Sequence, residues 1–277
     1  MTGYAHPEVL ADTEWLTAHL HDLNVRIVEC DGGRKLYDAG HIEGAIFWNA
    51  YADILRADLR VEDNPDAAAE LFGRSGIARD TTVVIYSNSA SASALAFWYL
   101  KLFGHPDVRL LDGGRRKWEA EGRAYTQAAP KIERVAYIPG LPDQEIRALR
   151  ADVERGLGRQ DHALVDTRRR EEYSGEWFAS KPPVEGERAG HVAGAAHINF
   201  DSALNPDGTF KPAGELRALY EGQGVTPDKD VTTYCTLGWR AGHTWFVLKY
   251  LLGYPRVRNY EGSWNEWGRA ADTPIER

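Results

Sequence analysis

The sequence predicts an α/β fold with a largely parallel sheet, written twice along one chain. The first observation is internal similarity in register. GHIEGA at Gly40 returns as GHVAGA at Gly190, VVIYS ending at Ser87 as VTTYC ending at Cys235, and LFGHPDVRLLDGGRRKW ending at Trp118 as LLGYPRVRNYEGSWNEW ending at Trp267. The three matches keep their order and nearly their spacing, as duplicated globular domains do and short solenoid repeats do not. The second observation is that short β-like runs alternate with longer apolar helical ones inside each copy, the pattern of strand–helix units.

The elements follow from local pattern. Val25–Glu29, Thr82–Tyr86, Ala163–Asp166 and Asp230–Tyr234 are short, rich in Val, Ile, Thr and Tyr, and bounded by polar turns, so they read as strands. Ala94–Phe103 and Thr244–Leu252 are apolar on most sides, which suits helices packed against a sheet, and each runs into a glycine stop, Gly104 or Gly253. The stretch from Thr126 to Asp143, with Pro130, Pro139 and Pro142, lacks periodicity and reads as a connector. The expected division is a first domain over 1–125, a connector over 126–145 and a second domain over 146–277. The second carries an extra loop from Gly175 to Gly190.

Composition bounds the function. The 277 residues are 43% hydrophobic and 27% charged, with a net charge of −8, which argues against nucleic acid or an anionic membrane as partner. A small anion remains compatible, because a single pocket can be positive on an acidic protein. No apolar stretch has the length of a membrane span, and the opening MTGYAHPEVL has no signal-peptide pattern, so a cytoplasmic location is expected. Two cysteines, Cys30 and Cys235, cannot form a disulfide framework or a four-ligand zinc site. No glycine-rich phosphate loop or His/Cys cluster is present, so no cofactor and no metal are expected.

Cys235 stands where chemistry is expected. A strand ends at Tyr234, Cys235-Thr-Leu-Gly-Trp-Arg240 follows, and a helix is expected to begin near Ala241 or Gly242. The carboxyl end of a parallel strand is where α/β sheets bind ligands. A tight loop leading into a helix aims backbone N–H groups at one point, which suits an anion and favours thiolate over thiol. Gly238 permits the turn, and Arg240 adds a permanent charge. A cysteine at the end of a buried strand can also be a small hydrophobe; the loop, arginine and helix together favour the nucleophile. Cys30 is followed by Asp-Gly-Gly-Arg instead. The matching position in the first copy is Ser87, in a loop with neither thiol nor arginine, so that copy is expected to be inactive.

The GHIEGA and GHVAGA boxes, the VTTYC strand with its loop, and the DGGRRKW and EGSWNEW closing boxes resemble tandem-domain rhodaneses, the thiosulfate and 3-mercaptopyruvate sulfurtransferases, over nearly the whole chain. The resemblance implies a five-stranded parallel sheet in each domain, an inactive first domain and an active second one. It also implies that Cys235 takes sulfur from a small anionic donor as a persulfide and passes it to cyanide or another thiophilic acceptor, with no cofactor. The substrate-binding set is then Thr236, Leu237, Gly238, Trp239, Arg240 and Ala241, with Arg188 just before the second Gly-His box. Cys235-Thr-Leu-Gly-Trp-Arg240 is similar to the Cys-x-x-Gly-x-Arg of thiosulfate enzymes. Where mercaptopyruvate enzymes place a carboxylate-binding arginine, this chain has Glu172, so thiosulfate is the expected donor and 3-mercaptopyruvate the alternative. Trp239 either caps the pocket or packs on the first domain. His41 and His191 are expected to brace their turns, and Arg168 to tie strand ends by ion pairing. Two rival functions are a non-catalytic sulfur- or partner-binding module and a phosphatase. The latter resembles a longer cysteine–arginine loop than the four intervening residues here.

Overall fold

The computed structural model describes residues 3–277; Met1 and Thr2, which open the expected first domain, lie outside the described residues. The chain separates into two compact units. One comprises Pro7–Asp143 with the short segment Asn205–Phe210; the other comprises Gln144–Leu204 and Lys211–Arg277 with residues 3–6.

The N-terminal unit runs β1 (Leu10–Ala11), α1 (Thr13–Ala18), β2 (Val25–Asp31), α2 (Lys35–Ala39), β3 (Ile46–Asn49), α3 (Pro65–Arg74), β4 (Thr82–Tyr86), α4 (Ala90–Leu102), β5 (Val108–Leu111) and α5 (Gly114–Ala120). Its strands form one parallel sheet in the order β1-β5-β4-β2-β3. The C-terminal unit runs β6 (Arg147–Ala148), α6 (Arg150–Gly156), β7 (His162–Asp166), α7 (Arg170–Tyr173), β8 (His191–Val192), β9 (Ala196–His197), α8 (Ala213–Glu221), β10 (Asp230–Tyr234), α9 (Trp239–Phe246), β11 (Val257–Tyr260), α10 (Ser263–Trp267) and β12 (Ile275–Glu276). Its parallel sheet has the order β6-β11-β10-β7-β9, the same path through space, and β12 pairs antiparallel with β8 beside it.

β4 and β10, the β-branched and aromatic runs, stand at the sheet centres. Helices cover both faces of a parallel sheet, so a central strand is buried on both sides and reads as continuous rather than alternating. Every residue of β4 is buried, and all of β10 except Asp230. α4 is buried on nearly every side, as its sequence predicts, and Gly104 and Gly253 both adopt φ of +73° where their helices stop. α9 differs from expectation. It starts at Trp239, because Gly238 enters the left-handed region at φ +83° and turns the chain directly into the helix, and it continues through a π-helical turn over Val247–Leu251.

Residues 127–143 form neither helix nor strand. They are nevertheless fastened to the N-terminal unit: Val135 N–H donates to Gly73 O at 3.1 Å, Gly140 N–H to Phe103 O at 3.0 Å and Asp143 N–H to Leu102 O at 2.8 Å.

Each unit repeats one buried polar network at its Gly-His box. In the C-terminal unit Tyr234 donates to Asp166 (2.6 Å) and accepts from Val192 N–H (3.0 Å), while Arg168 grips Asp166 and donates to Gly190 O (2.7 Å). In the N-terminal unit Tyr86 donates to Glu29 (2.5 Å) and accepts from Ile42 N–H (3.0 Å), while Arg115 pairs with Glu29 (2.7 Å) and donates to Gly40 O. The two arginines come from different places in the chain, yet each closes a carboxylate–tyrosine pair onto a box carbonyl. Arg168 is 0% exposed and serves as the strand-end tie. His41 stacks on Tyr37 with centroids 3.9 Å apart and His191 on Tyr173 at 3.7 Å, so both box histidines brace their turns.

Candidate active site

The loop Cys235–Arg240 leaves the carboxyl end of β10 and enters α9. Its closing turn requires glycine: beyond its positive φ, a Cβ at Gly238 would stand 2.9 Å from Glu261 Cα. The loop is held from outside by the start of α10. Cys235 N–H donates to Ser263 Oγ (3.0 Å), Trp264 N–H donates to Cys235 O (2.9 Å), and Asn265 N–H donates to Thr236 O (3.1 Å). The far end is fixed too. Gly238 O accepts from the Asn259 side-chain amide (3.2 Å) and from Gly242 N–H (2.8 Å), and Thr233 Oγ1 donates to Ala241 O (3.0 Å).

Inside this frame Gly238 N–H points at Cys235 Sγ at 3.1 Å and supplies a partial positive charge at the sulfur. Cys235 itself is only 1% exposed, while Thr236, Leu237, Trp239 and Arg240 are half-buried around it and Ala241 is buried. Thr236–Ala241 are therefore brought together with the thiol. Arg188 is engaged elsewhere: its guanidinium donates to Ala270 O, Thr273 Oγ1 and Thr273 O.

Arg240 is not free to face an anion unassisted. Its Nη1 donates to Glu172 Oε2 at 2.6 Å and its Nη2 to Glu172 Oε1 at 3.0 Å, with a further bond from Nη2 to Thr236 Oγ1. Thr236 Oγ1 in turn donates to Glu172 Oε1 at 2.9 Å, and Arg169 N–H donates to Oε2 at 3.2 Å. Glu172, 1% exposed, thus has both oxygens fully engaged. Burial pushes its pKa up, but the hydrogen bond and charge of Arg240, with the Thr236 hydroxyl, outweigh that and hold the carboxyl below its ordinary value. Burial likewise opposes the charge on Arg240, and the Glu172 hydrogen bond with the Coulombic pull of Cys235 and Glu172 raises its pKa instead.

Several supporting residues escaped the sequence. The fit of Glu172 onto Arg240 and Thr236 joins residues far apart in the chain. Ser263 and Asn265 sit in the second closing box and Asn259 in β11 just before it; in the same box Trp264 and Trp267 are buried core, and Glu261 pairs with Arg147 at 2.7 Å. One signal was available for Ser263, the departure of EGSWNEW from DGGRRKW at the position of Gly114.

In the N-terminal unit the same loop position has no sulfur. Ser87 Oγ donates to Ser89 O within its own turn, and Asn88 N–H donates to Asp31 at 3.0 Å. Leu36, just before the histidine-stacked Tyr37, matches Glu172, and Ala92, in register with Tyr86, matches Arg240. Cys30 is 0% exposed on β2, and burial, followed by the charges of Asp31, Asp53 and Glu29, pushes its thiol pKa well up. That is the setting of an inert thiol.

The model of the rhodanese-like domain matches residues 12–121 and again residues 149–270. The chain belongs to the rhodanese family. Among the relatives of this rhodanese, "Sulfur carrier protein TtuD" of Thermus thermophilus is 48% identical over 99% of both chains. "Putative thiosulfate sulfurtransferase SseA" of Mycobacterium tuberculosis is 45% identical over 99% of this chain and 93% of the other. Among solved structures, YnjE is 27% identical with a TM-score of 0.85, over 99% of this chain and 70% of that one. A cysteine-persulfide form of the EanB Y-to-F variant with ergothioneine in a tetrahedral intermediate state is 25% identical with a TM-score of 0.86, over 99% of this chain and 71% of that one. Among the described residues, no helix is long and apolar enough to cross a membrane.

Proposed function

We propose that this rhodanese is a sulfurtransferase that moves sulfane sulfur from thiosulfate to a thiophilic acceptor through a persulfide on Cys235. The observation that carries the reading is the Gly238 N–H 3.1 Å from Cys235 Sγ, in a loop whose backbone is fixed at both ends. The Cys235 thiolate attacks the outer sulfur of thiosulfate. The new S–S bond forms as the old one breaks, and sulfite leaves with the electron pair. The terminal persulfide sulfur carries the negative charge, which backbone N–H groups and the start of α9 stabilise without a cofactor. Cyanide or an acceptor thiolate then attacks that sulfur and returns the Cys235 thiolate, giving ping-pong kinetics. Relatives that are named as a sulfur carrier and as a thiosulfate sulfurtransferase support the same chemistry.

Arg240, Thr236, Leu237, Gly238, Trp239 and Ala241 form the proposed substrate loop. An anion contact from Arg188 requires it to release its bonds to Ala270 and Thr273. 3-Mercaptopyruvate is the second donor to consider, because Glu172 offsets the Arg240 charge that argues for thiosulfate. The test follows sulfite and thiocyanate from thiosulfate and cyanide, beside pyruvate from 3-mercaptopyruvate, in wild type and Cys235→Ser. Faster turnover of thiosulfate and a dead variant are expected. Faster turnover of 3-mercaptopyruvate overturns the donor, and an active variant overturns the nucleophile.

A further inference from the structure

Two ion pairs lie behind the cysteine loop, Asp166–Arg168 at 2.6 Å and Glu172–Arg240 at 2.6 Å, and each sums to zero. The loop side chains besides Arg240 (Thr236, Leu237 and Trp239, with Ala241 beyond) carry no charge. What the loop offers an anion is therefore backbone N–H groups and a cancelled guanidinium. The cancellation is built in rather than incidental. Glu172 is buried, meets the guanidinium at two points and is locked by Thr236 from the loop and by the N–H of Arg169, which caps the start of its own helix. Its absence also tracks the absence of the sulfur: the unit with Ser87 has Leu36 and Ala92 in place of the acid and the arginine.

We propose that Glu172 is a specificity-determining residue that cancels Arg240 and so sets how tightly the Cys235 loop holds doubly charged ligands. The inference rests on the proposed sulfur-transfer reading for its purpose, though not for its test. Both thiosulfate and the departing sulfite are dianions, so an uncancelled Arg240 would tighten substrate and product together. Such uniform binding lowers KM and contributes nothing to the chemical step. Glu172 keeps the arginine as a strut for the loop while letting sulfite leave.

The test measures alkylation of Cys235 by anionic iodoacetate and by neutral iodoacetamide, in wild type, Glu172→Gln and Glu172→Gln/Arg240→Gln. The ratio of the two rates reads the charge at the sulfur, and iodoacetamide alone reads whether the loop is intact. Glu172→Gln keeps the size and one acceptor oxygen, and is expected to raise the ratio about tenfold, the effect of one uncancelled charge in a partly buried site. Adding Arg240→Gln is expected to abolish the gain. In the thiosulfate assay Glu172→Gln is expected to lower KM without raising kcat. An unchanged ratio with a normal iodoacetamide rate overturns the inference, as does a gain that survives in the double variant. Failure of every donor in wild type, with the ratio shift present, would count against the sulfurtransferase reading alone.

Discussion

Ser263 accepts the Cys235 backbone N–H on its hydroxyl at 3.0 Å while its own backbone sits at φ +51°, in the left-handed region. Its counterpart in the N-terminal unit, Gly114, has the same φ of +51°, and a Cβ there would lie 2.9 Å from Ser87 O. The two units thus share a backbone turn, and the one with the cysteine fills it with a strained residue. Ser263 also donates to Tyr260 O at 2.8 Å, so its hydroxyl links the end of β11 to the base of the loop.

The turn gives a stability ordering. Ser263→Ala keeps the left-handed strain and leaves the buried Cys235 amide without its acceptor, a loss of about 1–3 kcal/mol. Ser263→Gly loses the same bond but relieves the strain, so it should be about 1 kcal/mol more stable than the alanine variant. Urea denaturation of both variants decides it; an alanine variant as stable as the glycine one would remove strain from the account.

The buried pair at the loop has a pH signature. The Glu172 carboxyl is held below its ordinary 4.5, so the folded chain binds fewer protons there than the unfolded chain, and stability rises with pH across that window. The contribution is complete above 4.5 and is lost as pH falls through the depressed value. Urea midpoints taken from neutrality down to about pH 3 should fall more steeply in wild type than in Glu172→Gln, which lacks the titrating group. Parallel slopes would contradict the direction of the shift.

The strand-end tie predicts a purely structural defect. Arg168→Met strands the buried Asp166 carboxylate and should cost about 3–5 kcal/mol, measured by thermal or urea unfolding. Because Arg168 is wholly buried, the protein that remains folded should keep its preference between thiosulfate and 3-mercaptopyruvate. A changed preference would place the arginine at the substrate.

The duplication made most of the fold legible. β4 and β10 are marked by β-branched and aromatic residues, and their matching Tyr86 and Tyr234 place two equivalent networks in register. The cysteine and its loop were legible for the same reason, since Ser87 supplied an internal comparison. Partnerships across the chain were not. Nothing in the local pattern says that Glu172 folds onto Arg240, because the carboxylate sits in an acidic helix start where a solvated charge is the usual outcome. The early start of α9 is not legible, because Arg240, Gly242, His243 and Thr244 dilute the apolar pattern of its first turns, and only the left-handed Gly238 shows that the helix already begins there.

The two thiols should separate cleanly. With limiting iodoacetamide on the native protein, peptide mapping is expected to find label on Cys235 and none on Cys30, which burial and three nearby carboxylates keep as an inert thiol. Equal labelling would mean that the strand carrying Cys30 opens to solvent.

The central claim is that Cys235 carries the sulfur, and intact-mass analysis after incubation with thiosulfate, followed by peptide mapping, tests it most directly. The account predicts a gain of one sulfur atom, located on Cys235, reversed by cyanide and missing in Cys235→Ser. No gain in wild type, or a gain that persists in Cys235→Ser, would contradict it.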